Sequence, residues 1–273
     1  MVTPPDSRRG RGRKLAPPPA AETARELGLD VLQAESVNAP EARERIAAAE
    51  PEVGVVCAFG QLIREPLLSE LELLNVHPSL LPRWRGAAPI ERAIWAGDEE
   101  TGVTIMRLTE GLDSGPIALQ EPVAIGGRDF GELNAELESI AGELLVRALD
   151  LRAAGELQWT EQDDARATYA EKITPEERRL DPALPAAELE RAVRALNPHI
   201  GAYLELEGGE RLGVKRAAAE EGEAELGTLT GDGGELRLGC GEGVLRLLVV
   251  QPPGGRPMEA EAFLRGHDVP RTA

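Results

Sequence analysis

The residues with the most chemical content lie in Asn75-Val76-His77-Pro78-Ser79-Leu80-Leu81-Pro82. In an extended chain, residues i and i+2 project to the same side, so Asn75 and His77 point together. An amide N–H beside an imidazole can stabilise negative charge that develops on a carbonyl oxygen. The same pattern also suits a capped, hydrogen-bonded strand end, and both readings stand on the residues alone. A second segment, Gly111-Leu112-Asp113-Ser114-Gly115-Pro116, has the composition of a tight turn. Its carboxylate either caps that turn or reaches back to His77, orients the imidazole and holds it charged. A third segment, Ser7-Arg8-Arg9-Gly10-Arg11-Gly12-Arg13-Lys14, has five basic residues in eight. It is either a solvated basic tail or a loop that grips phosphates, with glycines for close approach and arginines for bidentate contact.

Other reactive side chains are few. His77, His199 and His267 are the three histidines, and they form no ligand cluster with the cysteines, so no metal is expected. Cys57 sits in an apolar run and reads as a buried core thiol, and Cys240 is given no role. His199, in Asn197-Pro198-His199, reads as a structural turn residue.

The elements that must position these groups follow from periodicity. Residues 1–20 are rich in Pro, Gly and Arg and read as loop. Helices are expected over 21–29, 40–50, 66–71 and 87–96, and strands at 31–32, 53–59, 73–77, 102–108 and 117–125. The 53–59 run, Val-Gly-Val-Val-Cys-Ala-Phe, reads as a buried and parallel strand. Asp129 and Glu132 form a capping box that opens a helix with Leu133, Leu137, Ile140, Leu144, Ala148 and Leu151 on one face. The polar stretch 155–175 reads as a linker. A helix over 186–196 and short glycine-separated strands at 201–207, 210–216, 225–230, 235–239 and 243–250 follow, as in a small β-barrel or sandwich. Alternating strand and helix in the first half implies a mostly parallel sheet covered on both faces.

The bulk numbers agree with two globular domains. The chain has 273 residues, 42% hydrophobic, with 30 glycines and 21 prolines. Three per cent aromatic residues argue against a nucleic-acid surface built on stacked rings. A formal net charge of -18 argues against a general nucleic-acid coat protein, and basic contacts must then be local. No apolar run approaches the ~20 residues that a membrane span needs, and no secretory signal is legible. The expected setting is the cytoplasm.

Taken together, Asn75 through Ile90, then Ala96-Gly97-Asp98, Thr101 through Met106 and Gly111 through Gly115, resemble the signature of folate-dependent formyltransferases. The stretch Arg83-Trp84-Arg85-Gly86-Ala87-Ala88-Pro89-Ile90 and Thr168 through Ile173 resemble the branch that acts on methionyl-tRNA. The resemblance implies a Rossmann-like catalytic domain over residues 1–154, a linker over 155–175 and an OB-like β-barrel over 176–273. It implies Asn75, His77 and Asp113 as catalytic residues and Ser79, Leu80, Leu81 and Pro82 as a folate-contact turn. It further implies Arg11, Arg13 and Lys14 as a loop that contacts tRNA. The co-substrate is then 10-formyltetrahydrofolate, the partner is initiator methionyl-tRNA, and the expected form is a monomer.

Two departures from the family pattern stand out. The family begins with a strand, a Gly-Thr-Pro turn, a helix and a second strand. This sequence starts near the end of that second strand, about thirty residues in, and loss of a central strand would expose backbone groups that need partners. The stretch from Glu176 onward holds 12 Lys/Arg against 18 Asp/Glu, so tRNA contact there must rest on a patch such as Lys215 and Arg216. Formyl transfer to a small amine, or tRNA binding with little turnover, are the alternatives.

Overall fold

The computed structural model describes residues 1–9 and 14–273 and divides into two compact units. The first comprises Met1–His77, Ile105–Ala118 and Gln158–Gln162, and the second comprises Pro78–Thr104, Leu119–Leu157 and Asp163–Ala273. Strands and helices are numbered in chain order.

The first unit opens with β1 (Val2–Thr3), β2 (Ser7–Arg9) and β3 (Lys14–Ala16), followed by α1 (Pro19–Glu26) and β4 (Leu32–Gln33). Then come α2 (Pro40–Ala47), β5 (Gly54–Cys57), α3 (Leu67–Glu70) and β6 (Leu73–His77). Helices α1 and α2 begin with proline in the first turn, where a missing N–H costs no hydrogen bond. β1 pairs in parallel with β4, and β2 pairs antiparallel with β3. Residues 2–3, 7–9 and 14–16 are therefore in strands, where composition implied a loop. Val2 and Thr3 find partners at Leu32 and Gln33, about thirty residues away, and such pairing leaves no local period to read.

β5 and β6 are parallel and belong to a sheet of order β5-β6-β8-β9, where β8 is Glu100–Arg107 and β9 is Ile117–Ala124. β6 lies inside this order and all five of its residues are buried. β5 ends the order, and its residues alternate between half-buried and exposed. Cys57 is exposed rather than a core thiol, and Val55 beside it is 43% exposed. An apolar run becomes a buried strand only if something packs over both its faces. Val37, Ile63, Leu67 and Leu73 form a core cluster of this unit.

In the second unit, β7 (Arg85–Gly86) leads to α4 (Pro89–Ala96), which stops at Gly97 with φ 79° in the left-handed region. α5 (Phe130–Ala153) is opened by the expected capping box: Asp129 accepts from Glu132 N at 3.0 Å, and Asp129 N donates back at 3.2 Å. Its buried residues Leu133, Leu137, Leu144 and Ala148 follow the helical spacing. Each such leucine contributes roughly 1.5–3 kcal/mol on burial. β10 (Tyr169–Ala170) pairs in parallel with β7, so the polar stretch 155–175 contains ordered structure.

α6 (Ala186–Leu196) buries Leu189, Ala192, Val193 and Leu196 in the core of the β-rich half. The strands there are β11 (Ala202–Glu205), β12 (Arg211–Glu220), β13 (Leu229–Asp232), β14 (Glu235–Gly239), β15 (Val244–Gln251) and β16 (Met258–Glu259), followed by α7 (Ala260–Gly266). They make a six-stranded antiparallel sheet of order β11-β12-β15-β14-β13, with β16 on β15. β12 runs beyond the expected 210–216, and an irregularity between Val214 and Ala217 changes its side-chain alternation mid-strand.

Candidate active site

Asn75 and His77 lie two residues apart at the end of β6, 8% and 4% exposed. Asp113 is on the turn between β8 and β9, within the same unit. That turn is tight: Arg107 N donates to Pro116 O at 2.9 Å, and a Cβ on Gly115 would come within 2.0 Å of Arg107 O, so only glycine fits. Asp113 itself has φ 45°, a left-handed conformation that Asp tolerates better than most residues.

The turn brings Asp113 to the other two residues. Asn75 Nδ2 donates to Asp113 Oδ1 at 3.4 Å. His77 Nδ1 lies 3.7 Å from Asp113 Oδ2, an ion-pair distance longer than a direct hydrogen bond. Such contacts often tighten only when substrate is bound. The Asp113 side chain is 13% exposed and that of His77 is 5%. A buried imidazole, a buried amide and a carboxylate converge here, which takes the second of the two courses that the sequence left open for Asp113. The amide and imidazole can donate to a carbonyl oxygen, and the carboxylate can orient the imidazole.

Ser79, Leu80, Leu81 and Pro82 belong to the second unit and are held by a hydrogen-bond network there. Thr104 is fully buried; its hydroxyl donates to Ser79 O at 2.6 Å and accepts from Leu81 N at 3.2 Å. Gln120 Nε2 donates to Leu81 O and to Thr104 Oγ1, both at 2.9 Å. Ser79 Oγ donates to Arg83 O at 2.6 Å. The following residues act as a brace. Arg83 makes a two-point contact with Asp98 at 2.7 and 2.6 Å, stacks over Trp84 at 4.4 Å, and Trp84 Nε1 donates to Asp98 at 2.8 Å. The hydrogen bond to Asp98 raises the Arg83 pKa above its ordinary value, against the lowering effect of burial. Buried Arg85 pairs with Asp164 at 2.7 Å.

Of the basic N-terminal residues, Lys14 is exposed on β3, and Arg11 and Arg13 lie outside the described residues. In the β-rich half, Lys215 and Arg216 have different surroundings. Arg216 pairs with Glu259 at 3.5 Å. Lys215 borders a cavity of about 450 Å³ with Arg178, Arg211, Tyr203 and Gln251. Burial, and then the charge of Arg178, pull Lys215 below the usual lysine range. Among the described residues no carboxylate lies within 4 Å of Arg178, Arg211 or Lys215.

Sequence reasoning missed Gln162, Thr104, Gln120, Arg178 and Arg211. Gln162 Nε2 donates to Asp113 O at 2.8 Å and to Gly115 O at 2.7 Å. It falls in an aperiodic stretch, where nothing local marks it. Thr104 and Gln120 sit within strands, and their shared role depends on the pairing of those strands.

An α/β sheet followed by an antiparallel β domain agrees with what known proteins show. The family model described as formyl transferase matches residues 1–149, and that described as formyl transferase, C-terminal domain, matches residues 172–268. The chain belongs to the formyl transferase family. Its curated relatives include methionyl-tRNA formyltransferases from Methylococcus capsulatus, 44% identical over 98% of this chain and 88% of that protein, and from a Methylobacterium species, 46% identical over 94% and 84%. That of Halorhodospira halophila is 45% identical over 97% and 87%. Among solved structures, HypX from Aquifex aeolicus is 18% identical with a TM-score of 0.64, over 89% of this chain and 45% of that one. The sugar 3N-formyl transferase WlaRD, crystallised with dTDP and 5-N-formyl-THF, is 13% identical with a TM-score of 0.60, over 83% and 79%. At these identities the likeness is one of fold.

Proposed function

We infer that this formyltransferase moves the formyl group of 10-formyltetrahydrofolate onto the amino group of methionyl initiator tRNA, in translation initiation. The observation that carries the reading is identity of 44–46% to methionyl-tRNA formyltransferases over nearly the whole chain, through both family domains.

10-Formyltetrahydrofolate supplies the one-carbon group when bound. The donor set suits its carbonyl oxygen: an amide N–H and an imidazole, both more than nine-tenths buried, with an acidic partner. Asn75 and protonated His77 donate to the oxygen as negative charge develops on it. Asp113 keeps His77 charged and takes up, through water, the proton that the attacking amine releases; as the new C–N bond forms and the C–N bond to the folate breaks, that proton can pass to the departing nitrogen, so that tetrahydrofolate leaves neutral. Ser79, Leu80, Leu81 and Pro82 form the folate-contact turn, which Thr104 and Gln120 hold. Among the described residues, no group of three or more His, Cys, Asp or Glu could hold a metal.

For tRNA, the division of labour is catalysis in 1–154, a connection over 155–175, and assistance to binding from 176–273. Arg11, Arg13 and Lys14 contact the acceptor end. The Arg178, Arg211 and Lys215 cavity supports the second contact, because three cations without a carboxylate partner suit phosphate. The working form is a cytoplasmic monomer. No described helix is long and apolar enough to cross a membrane.

The test is a formyl-transfer assay with charged initiator tRNA set against amino sugars and other small amines. Transfer to the tRNA is expected. Transfer to a small amine alone would overturn the reading.

A further inference from the structure

Gln162 lies 49 residues after Asp113, in a segment whose course is fixed by its neighbours. Thr160 exchanges backbone hydrogen bonds with Ile117, at 2.8 and 2.9 Å. The Arg107 guanidinium lies over the Trp159 ring at 4.3 Å. These contacts deliver Gln162 to the turn that bears Asp113, all within the first unit. There its Nε2 donates to the carbonyls of Asp113 and Gly115, at 2.8 and 2.7 Å.

The turn needs such a partner. Asp113 holds φ 45°, a conformation uncommon in side-chain-bearing residues even though Asp tolerates it better than most, so contacts that fix it stabilise the turn. Both carbonyls belong to the turn whose carboxylate presents one oxygen to Asn75 and the other to His77. A primary amide supplies two N–H groups from one neutral nitrogen. A carboxylate of the same shape would set oxygen against oxygen.

We propose that Gln162 is a positioning residue for formyl transfer: it fixes the backbone of residues 113–115, and so holds the Asp113 carboxylate between Asn75 and His77. The inference rests on the reading of Asp113 as catalytic. Gln162 acts through Asp113, without touching the substrate.

The experiment compares Gln162→Glu, which keeps the shape, and Gln162→Met, which keeps the length, each alone and in an Asp113→Asn background. Misplacing a reacting group by about 1 Å costs up to ~100-fold, so kcat should fall about 10- to 100-fold in both single variants. The KM values for tRNA and folate should stay within about twofold, because neither substrate meets Gln162. In the Asp113→Asn background the same changes should cost nothing further, which a general structural lesion would not reproduce. Thermal melts show whether each variant folds, and the Glu variant stands if the Met variant does not. Parental kcat in both single variants, beside a crippled Asp113→Asn enzyme, would overturn the positioning role alone. Equal losses in the two backgrounds would also overturn it. Parental turnover by Asp113→Asn would remove the catalytic reading, and the inference with it.

Discussion

Asp113 Oδ1 accepts a hydrogen bond from Asn75 Nδ2 at 3.4 Å across 38 residues of sequence. The same carboxylate stands 3.7 Å from His77 Nδ1 through its other oxygen. One side chain thereby links two groups that share a face of β6, and the site's donors point in a common direction.

Replacing Asn75 or His77 by alanine removes a donor to the developing charge. Such a loss typically costs ~2.7–4 kcal/mol of barrier. Single-turnover rates should fall about a hundred- to a thousandfold in each variant. Near-parental rates in either would rule the assignment out.

Thr104→Val keeps the volume but deletes the hydroxyl that ties Ser79, Leu81 and Gln120 together. Stranded buried polar groups cost about 1–3 kcal/mol each. We expect a lower melting temperature and a raised KM for the folate, with the KM for tRNA changed less. An unaltered melt and folate KM would separate the network from the turn.

Lys215→Ala should weaken tRNA binding and lower the slope of log K against log salt by about 1, because one phosphate contact is lost. Arg216→Ala, whose partner is Glu259, should leave the slope unchanged. Lys215 is charged below its pKa, which burial and then Arg178 place below the ordinary lysine value. Parental binding should therefore weaken as pH rises through that lowered pKa, sooner than a Lys215→Arg variant does. Identical salt slopes for Lys215→Ala and the parent would remove the cavity from the tRNA path.

Glu177 is held below the ordinary carboxylate pKa, first by its hydrogen bond from Arg92 and further by Thr174. A depressed folded pKa contributes stability that is present above the unfolded pKa and lost as pH falls through the folded one. The pair is partly exposed, so its contribution at neutral pH is about 0.2–1 kcal/mol. Glu177→Gln should lower the urea midpoint at pH 7 and show a smaller further drop on acidification than the parent. Parallel acid profiles would show that other carboxylates dominate.

Much of this protein was legible from local pattern. The capping box at Asp129 and Glu132 and the leucine spacing after it specify α5 whatever packs around it, because both signals act within one or two turns. Asn75 and His77 share a face because strand alternation requires it. What only the tertiary structure decided is which distant segments meet. Asp113 reaches His77 through a turn whose course depends on Arg107 and Gly115, and Gln162 reaches that turn through strand-like pairing with no period of its own. Cys57 faces solvent because burial belongs to what lies over a strand, and no run of apolar letters contains that information.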